Sequence, residues 1–268
     1  MSLLRSLKDN VQAMATEATE PAEAVLRRWL DELGADLYGR TLPFWLRHSV
    51  DAAHGGFFNC LDEDGGVTET SKHVWLQGRQ CWMLARVANS HTDAELEALA
   101  ARWAPAAAPA PPARSKAAAA APVPLTRAGL IGAARAGVQF LRDHAVRASD
   151  GHVYFCLAAD GRPVAEQRKP FAATFLIMAL NEVGRATGEP ALQAEARELT
   201  ERVLGWLATP GSLRPERLEG APELLPLNVP MIVSRGRGGG ALAAGTARDC
   251  TLPCVGARRG RRHCSIAT

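Results

Sequence analysis

The sequence predicts an all-α protein assembled from packed helical hairpins. Three observations lead there. Apolar residues recur at helical spacing over long stretches. The helical stretches come in pairs, joined by glycine-rich loops or short β-hairpins. Strand and helix do not alternate, and no clean sequence repeat is apparent.

The first element is read over Ala22–Leu37, "AEAVLRRWLDELGADL". Its apolar positions 25, 29, 30, 33 and 37 share a helical face, and Pro21 suits the first turn. A second stretch ends in "PFWLRHSV". The segment "DAAHGGFFNCLDEDGGV" then breaks the period. Gly55-Gly56 and Gly65-Gly66 bracket Phe57–Leu61, which reads as a hairpin or long loop. A helix is expected over Lys72–Asn89.

Residues 104–124 hold eleven Ala and six Pro and have almost nothing to bury, so a disordered insertion is expected. Helical spacing resumes in "LTRAGLIGAARAGVQFLRDHAV". "HVYFCLA" reads as a short strand followed by the turn "ADGRP". "FAATFLIMALNEVGRATG" is a strongly apolar helix closing at Gly188. A last helix begins at Pro190 and stops before Pro210. The resulting organisation is a flexible N-terminus (1–21), a helical domain (22–234) containing the insertion, and an irregular basic tail (235–268).

Charge follows the same division. The net charge is +3, yet the tail carries seven Arg against one Asp, which leaves the first 234 residues at −3. The tail lacks aromatic residues to stack on bases, so its charge reads as non-specific and no nucleic-acid partner is expected. No apolar run approaches the length of a membrane span, and no secretory signal is visible, so a cytoplasmic, membrane-free protein is expected. The six cysteines show no disulfide rhythm. Cys250, Cys254, His263 and Cys264 match no common zinc spacing, and no metal is expected.

One helix face stands out. Trp75, Arg79, Trp82 and Arg86 fall on a single stripe, while Val74, Gly78, Cys81, Ala85 and Ala88 form a second, mostly small one. The small stripe allows a neighbouring helix to approach closely. The aromatic stripe fits two descriptions equally. It is a sugar-pocket wall, with rings covering the apolar face of a sugar and a guanidinium reaching its oxygens. Or it is a buried arginine stacked on tryptophan. His54, in "HGGFF", is a candidate ligand or acid/base, against a loop histidine bonded to backbone.

The segments "FWLRHSVDAAHGGFFNCLDEDGGV", "KHVWLQGRQCWMLARV", "VYFCLAADGRPVAEQRKPFAATFLIMALNEV" and "LNVPMIV" together resemble the N-acylglucosamine 2-epimerase family over about residues 22–234. The resemblance implies an (α/α)6 barrel of six helical hairpins in two concentric rings, here incomplete. It implies interconversion of N-acetyl-D-glucosamine and N-acetyl-D-mannosamine through C2 deprotonation and reprotonation of the open-chain sugar, without a required cofactor. ATP or another nucleotide is implied as a modulator. A homodimer and renin are implied as partners besides the amino-sugar substrate. Arg79 matches the family's "QGRQ" arginine, implied to stabilise the enolate. Trp75, Trp82 and His54 are the implied substrate-binding residues.

Two departures limit the carry-over. The family's two catalytic histidines lie beyond its "VPM" segment, and the likeness ends near Ser234. His263 is not in that context. The family's "F-S-E-x-F" is "FAATF" here, with Ala173 in place of glutamate. The chain itself is therefore expected to be inactive, with a non-catalytic binding role as the alternative. The break at residue 234 reads as a frame change, splice form or gene-model error.

Overall fold

Where the sequence suggested two helical stretches separated by a pause, the chain does not leave helical geometry. The computed structural model describes residues 21–103, 122–167, 169–209, 211–213 and 231–234. Helix α1 (Ala22–Gly34) runs into a π-helical segment (Ala35–Thr41) and then α2 (Leu42–His48). The Leu42 amide donates to the Leu37 carbonyl, five residues back. Pro43, in the first turn of α2, has no N–H for the preceding turn. A widened turn absorbs that missing donor without breaking the helix. The small residues of this segment seat Trp103. A Cβ at Gly34 would lie 2.5 Å from its indole, and one at Gly39 2.6 Å from its carbonyl oxygen. Tyr38 stacks on the same ring at 5.9 Å.

A two-stranded hairpin follows, β1 (Cys60–Leu61) and β2 (Val67–Glu69). Strand β3 (Lys72–His73) leads directly into α3 (Val74–Ser90). The helix expected from Lys72 thus starts two residues later, because Lys72 and His73 pair with Leu157 and Cys156. After α4 (Asp93–Arg102), capped reciprocally by Thr92 and Glu95, the description resumes at Pro122. Only 122–124 of the Ala/Pro segment are described, with the Val123 amide donating to the Leu46 carbonyl at 3.1 Å. Residues 1–20, the rest of that segment and the basic tail, including Cys250, Cys254, His263 and Cys264, lie outside the described residues.

Helix α5 (Arg127–His144) precedes a second hairpin, β4 (Cys156–Leu157) and β5 (Pro163–Ala165). Helices α6 (Phe171–Thr187) and α7 (Pro190–Ala208) complete the described elements. Gly188 closes α6 in the left-handed conformation at φ 72°, as its sequence position suggested. The all-α expectation holds, since every strand is two or three residues long. The core lies between α3, α5, α6 and α7, around Val74, Leu84, Leu130, Leu141, Leu176 and Leu180. α3 and α6 approach so closely that a Cβ at Gly78 would sit 2.7 Å from the backbone of Phe175.

The structure overturns the expectation that the chain lacks a repeat. A shift of 96 positions, His48 to His144, superposes one segment on another without a gap. Phe44, His48, Val50, Gly55, Cys60, Leu61, Asp64 and Gly65 recur as Phe140, His144, Val146, Gly151, Cys156, Leu157, Asp160 and Gly161. The geometry recurs with them. Bridges join Val50 to Phe57 and Val146 to Val153. Cys60 faces Glu69 as Cys156 faces Ala165. Phe44 and His48 rings lie 5.1 Å apart, Phe140 and His144 rings 4.9 Å. Gly65 and Gly161 have φ of 84° and 87°, and at each a Cβ would collide with that histidine ring at 2.3 Å. The repeat escapes sequence inspection because it is confined to a helix end and a hairpin, while the flanking helices diverge.

Lys72 locks the two repeats together. It is fully buried, and its ammonium donates to Asp51 Oδ2 (2.8 Å), the Gly55 carbonyl (2.6 Å) and the Ala159 carbonyl (2.8 Å). Burial pulls the Lys72 pKa below its ordinary value, with Asp51 acting against that shift. Burial pushes Asp51 upward, but Lys72 and the amides of His54 and Ala53 outweigh it and hold the carboxyl below its usual range. Lys72→Ala leaves Asp51 buried and unpaired, and should cost about 3–5 kcal/mol in urea denaturation. Because the folded Asp51 pKa is depressed, its contribution is present above the unfolded value near pH ~4 and is lost as pH falls further. In acid-titrated melts, the difference between wild type and Asp51→Asn should shrink below that pH.

Candidate functional site

Helix α3 positions the candidate residues. Its first turn is anchored by the Val74 amide, which donates to the Phe155 carbonyl at 3.0 Å. Its buried face holds Val74, Gly78, Cys81, Ala85 and Ala88. This is the small stripe of the sequence reading. Gln77 joins it, exchanging hydrogen bonds with the Phe57 amide (2.8 Å) and carbonyl (2.6 Å) and donating to Asn59 Oδ1 (2.9 Å). A polar side chain inside an apolar stripe was the signal that could have marked Gln77.

The other stripe divides. Trp75 is half-buried and lines a cleft of about 220 Å³ with Phe155, Gln167, Phe171, Ala172 and Phe175. The Trp75 and Phe175 rings are 5.9 Å apart and inclined at 52°. Arg79 is exposed and, among the described residues, has no hydrogen bond or ion pair. Trp82, two turns along from Trp75, is half-buried and lies outside the cleft lining. Arg86 is a structural arginine, 3.7 Å from Glu182. That carboxylate, buried on α6, also accepts from Asn89 at 2.9 Å and pairs with Arg185 at 3.2 Å.

His54 sits in the first repeat's loop. Its amide donates to Asp51 Oδ1 at 3.1 Å, and its Nδ1 is 3.4 Å from Asp51 Oδ2, with the side chain 47% exposed. It does not line the cleft. The structure therefore groups Trp75 with Phe155 of the second hairpin and Phe171 and Phe175 of α6, and leaves Arg79 and Trp82 on the same helix as Trp75. Phe155, Phe171 and Phe175 were missed as cleft residues because they come from a hairpin and a helix about 80 residues or more further on. Ala173, where a glutamate was expected, is buried in the core, and its neighbour Ala172 faces the cleft.

No family profile matches the chain. Human N-acylglucosamine 2-epimerase is 35% identical over 221 residues, which cover 82% of this chain and 44% of the human protein. The mouse N-acylglucosamine 2-epimerase is 35% identical over 216 residues, again 44% of its length. This chain is a relative of the N-acylglucosamine 2-epimerases. It spans less than half the length of the curated relatives it matches. Among solved structures, cellobiose 2-epimerase from Spirochaeta thermophila is similar at a TM-score of 0.57, over 82% of this chain and 50% of that one, with 20% identity. That likeness shows the fold. The described helices belong to the epimerase (α/α)6 barrel, and the barrel is incomplete. Among the described residues, no helix is long and apolar enough to cross a membrane.

The close α3–α6 contact and the exposed arginine next to it separate by mutation. Gly78→Ala forces backbone apart and should cost about 1–3 kcal/mol. Arg79→Ala should change stability by no more than about 0.5 kcal/mol. Thermal and urea unfolding of both variants checks the contrast.

Proposed function

We propose that this chain carries one wall of a sugar 2-epimerase site, and that the sugar is an N-acylated hexosamine. The observation that supports the reading is the aromatic cleft at Trp75, with an unpaired Arg79 one turn along the same helix. An aromatic surface suits the apolar face of a pyranose, and a guanidinium suits its oxygens. The kinship with N-acylglucosamine 2-epimerases points the same way.

In the proposed reaction the sugar ring opens, and the C1 aldehyde acidifies the C2 proton. A base removes that proton, giving an enolate whose oxygen charge Arg79 stabilises. An acid on the opposite face returns a proton to C2 and inverts it. No redox equivalent is consumed, and a nucleotide would act as a modulator rather than a reactant. Trp82 would extend the wall, and His54 would bear on substrate only from the rim. The matched region contains no counterpart of the family's catalytic histidine segments, so the chain alone is proposed to bind sugar without turning it over. The place of work is proposed to be the cytoplasm.

Titration with N-acetylmannosamine, followed by tryptophan fluorescence, should give a saturable change. Trp75→Ala should weaken it by about tenfold or more. Proton NMR in deuterated water should show no deuterium entering C2 with this chain alone. Absence of saturable binding refutes the sugar reading, and exchange at C2 refutes the inactivity.

A second reading, a non-catalytic binding protein, is favoured by the wet apolar face of α1. Under that reading renin or a full-length epimerase is the partner. Sedimentation with each would show a shifted boundary.

A further inference from the structure

The cleft at Trp75 has a composition that a whole sugar ring does not match. Phe155, Phe171, Ala172 and Phe175 line it with Trp75, and Gln167 completes the lining. Besides the indole N–H of Trp75, the Gln167 amide is the only polar side-chain group there. A hexose carries hydroxyls around its ring. Enclosed among phenylalanines, most of them would lose water and find no partner, which is costly. An apolar arm has no such difficulty. The cleft holds about 220 Å³. A water molecule's share of liquid is about 30 Å³ and a methyl group is of similar size, so there is room for several carbons.

Gln167 shows how the arm would be recognised. It lies in the connection ahead of α6, four residues before Phe171, and is exposed. Its backbone carbonyl accepts from the Lys169 amide at 2.8 Å. Its side-chain amide makes no hydrogen bond among the described residues. A free carboxamide offers N–H donors and a carbonyl acceptor side by side. An acylated nitrogen offers the same pair in reverse, one N–H and one carbonyl oxygen. A free amino group is a cation without an acceptor, and an apolar cleft disfavours it. A plain hydroxyl brings no apolar group to the phenylalanines.

We propose that this cleft seats the N-acyl arm of the sugar, that Gln167 reads the arm's amide, and that the site favours arms longer than acetyl. The inference rests on the sugar reading above and names the part of the sugar that enters the cleft. The alkyl carbons lie against Phe155, Phe171 and Phe175. The ring stays at the mouth, with Trp75 against its edge and Arg79, one turn further along α3, toward its oxygens. Gln167 is then a residue of specificity and takes no part in proton transfer.

Saturation-transfer NMR and tryptophan-fluorescence titration of the full chain test the proposal. The probes are mannose, mannosamine and the N-acetyl, N-propanoyl and N-butanoyl derivatives of mannosamine. Acyl protons should receive more saturation than ring protons. Affinity should rise about three- to fourfold for each methylene added beyond acetyl, the gain expected from burying it. Mannose and mannosamine should bind about tenfold or more weakly than N-acetylmannosamine. Gln167→Ala should erase most of that preference while leaving the thermal melt unchanged, because the residue is exposed. Ala172 is 5% exposed, and Ala172→Leu fills the cleft, so affinity should then fall with arm length. Circular dichroism checks that this second variant folds, and Gln167→Ala decides the matter if it does not. Mannose binding as tightly as N-acetylmannosamine, affinity flat from acetyl to butanoyl, or a Gln167→Ala variant with its preference intact overturns the proposal and leaves the sugar reading standing. If none of these sugars binds, the sugar reading itself fails and this proposal fails with it.

Discussion

A single buried ammonium holds the working parts of this chain in register. Removing a charge from water is expensive, and an isolated lysine in this position would neutralise or leave. Lys72 stays because its donors are met by one carboxylate and two carbonyls, with the Phe140 ring 4.4 Å from the ammonium as a fourth favourable neighbour. The acceptors come from different places. Asp51 and Gly55 belong to the loop of the first repeat, and Ala159 to the hairpin turn of the second. Lys72 itself sits immediately before α3. Loop, hairpin and helix start are thereby fixed relative to one another. The strand pairing of Lys72 with Leu157 and His73 with Cys156 reinforces the same joint.

The position of Trp75 follows from that joint. It lies three residues after Lys72, on the first turn of α3, and the helix start is tethered to the Phe155 carbonyl. Phe155 also contributes to the cleft wall. The cleft is therefore a seam between α3, which supplies Trp75, the second hairpin, which supplies Phe155, and α6, which supplies Phe171 and Phe175. Gly78 lets α6 come close enough for Phe175 to reach the tryptophan. A larger residue there would push apart the two helices that make the wall.

The two arginines of the stripe show how an incomplete ring divides its residues. Arg86 finds a buried carboxylate on α6 and serves packing. Arg79, two turns closer to the helix start, has no such carboxylate within the described residues and is left facing outward. An unpaired guanidinium next to an aromatic cleft costs nothing in water, and it is available to an oxygen-rich ligand. The match covers only 44% of the human and mouse relatives, so the matched region is one part of the molecule there. The wall described here is consistent with a site whose remaining groups come from elsewhere.

The sequence by itself determined the helices of the domain other than α4, the small stripe on α3 and the turn at Gly188, because each rests on local spacing or on one residue's backbone freedom. The kinship was legible too, carried by "HGGFF" and "VWLQGRQ" in register. The continuous run through Ala35–Thr41 was not, since a π-turn leaves no periodic signature. Only the tertiary structure decided that Lys72 is a buried clamp rather than a helix's exposed first residue. It also decided that Trp75 meets phenylalanines far along the chain, and that Arg79 and Arg86 have opposite roles despite sharing a face. Burial, pairing and long-range contact depend on what the rest of the chain brings to a residue, and spacing along one helix carries no record of that.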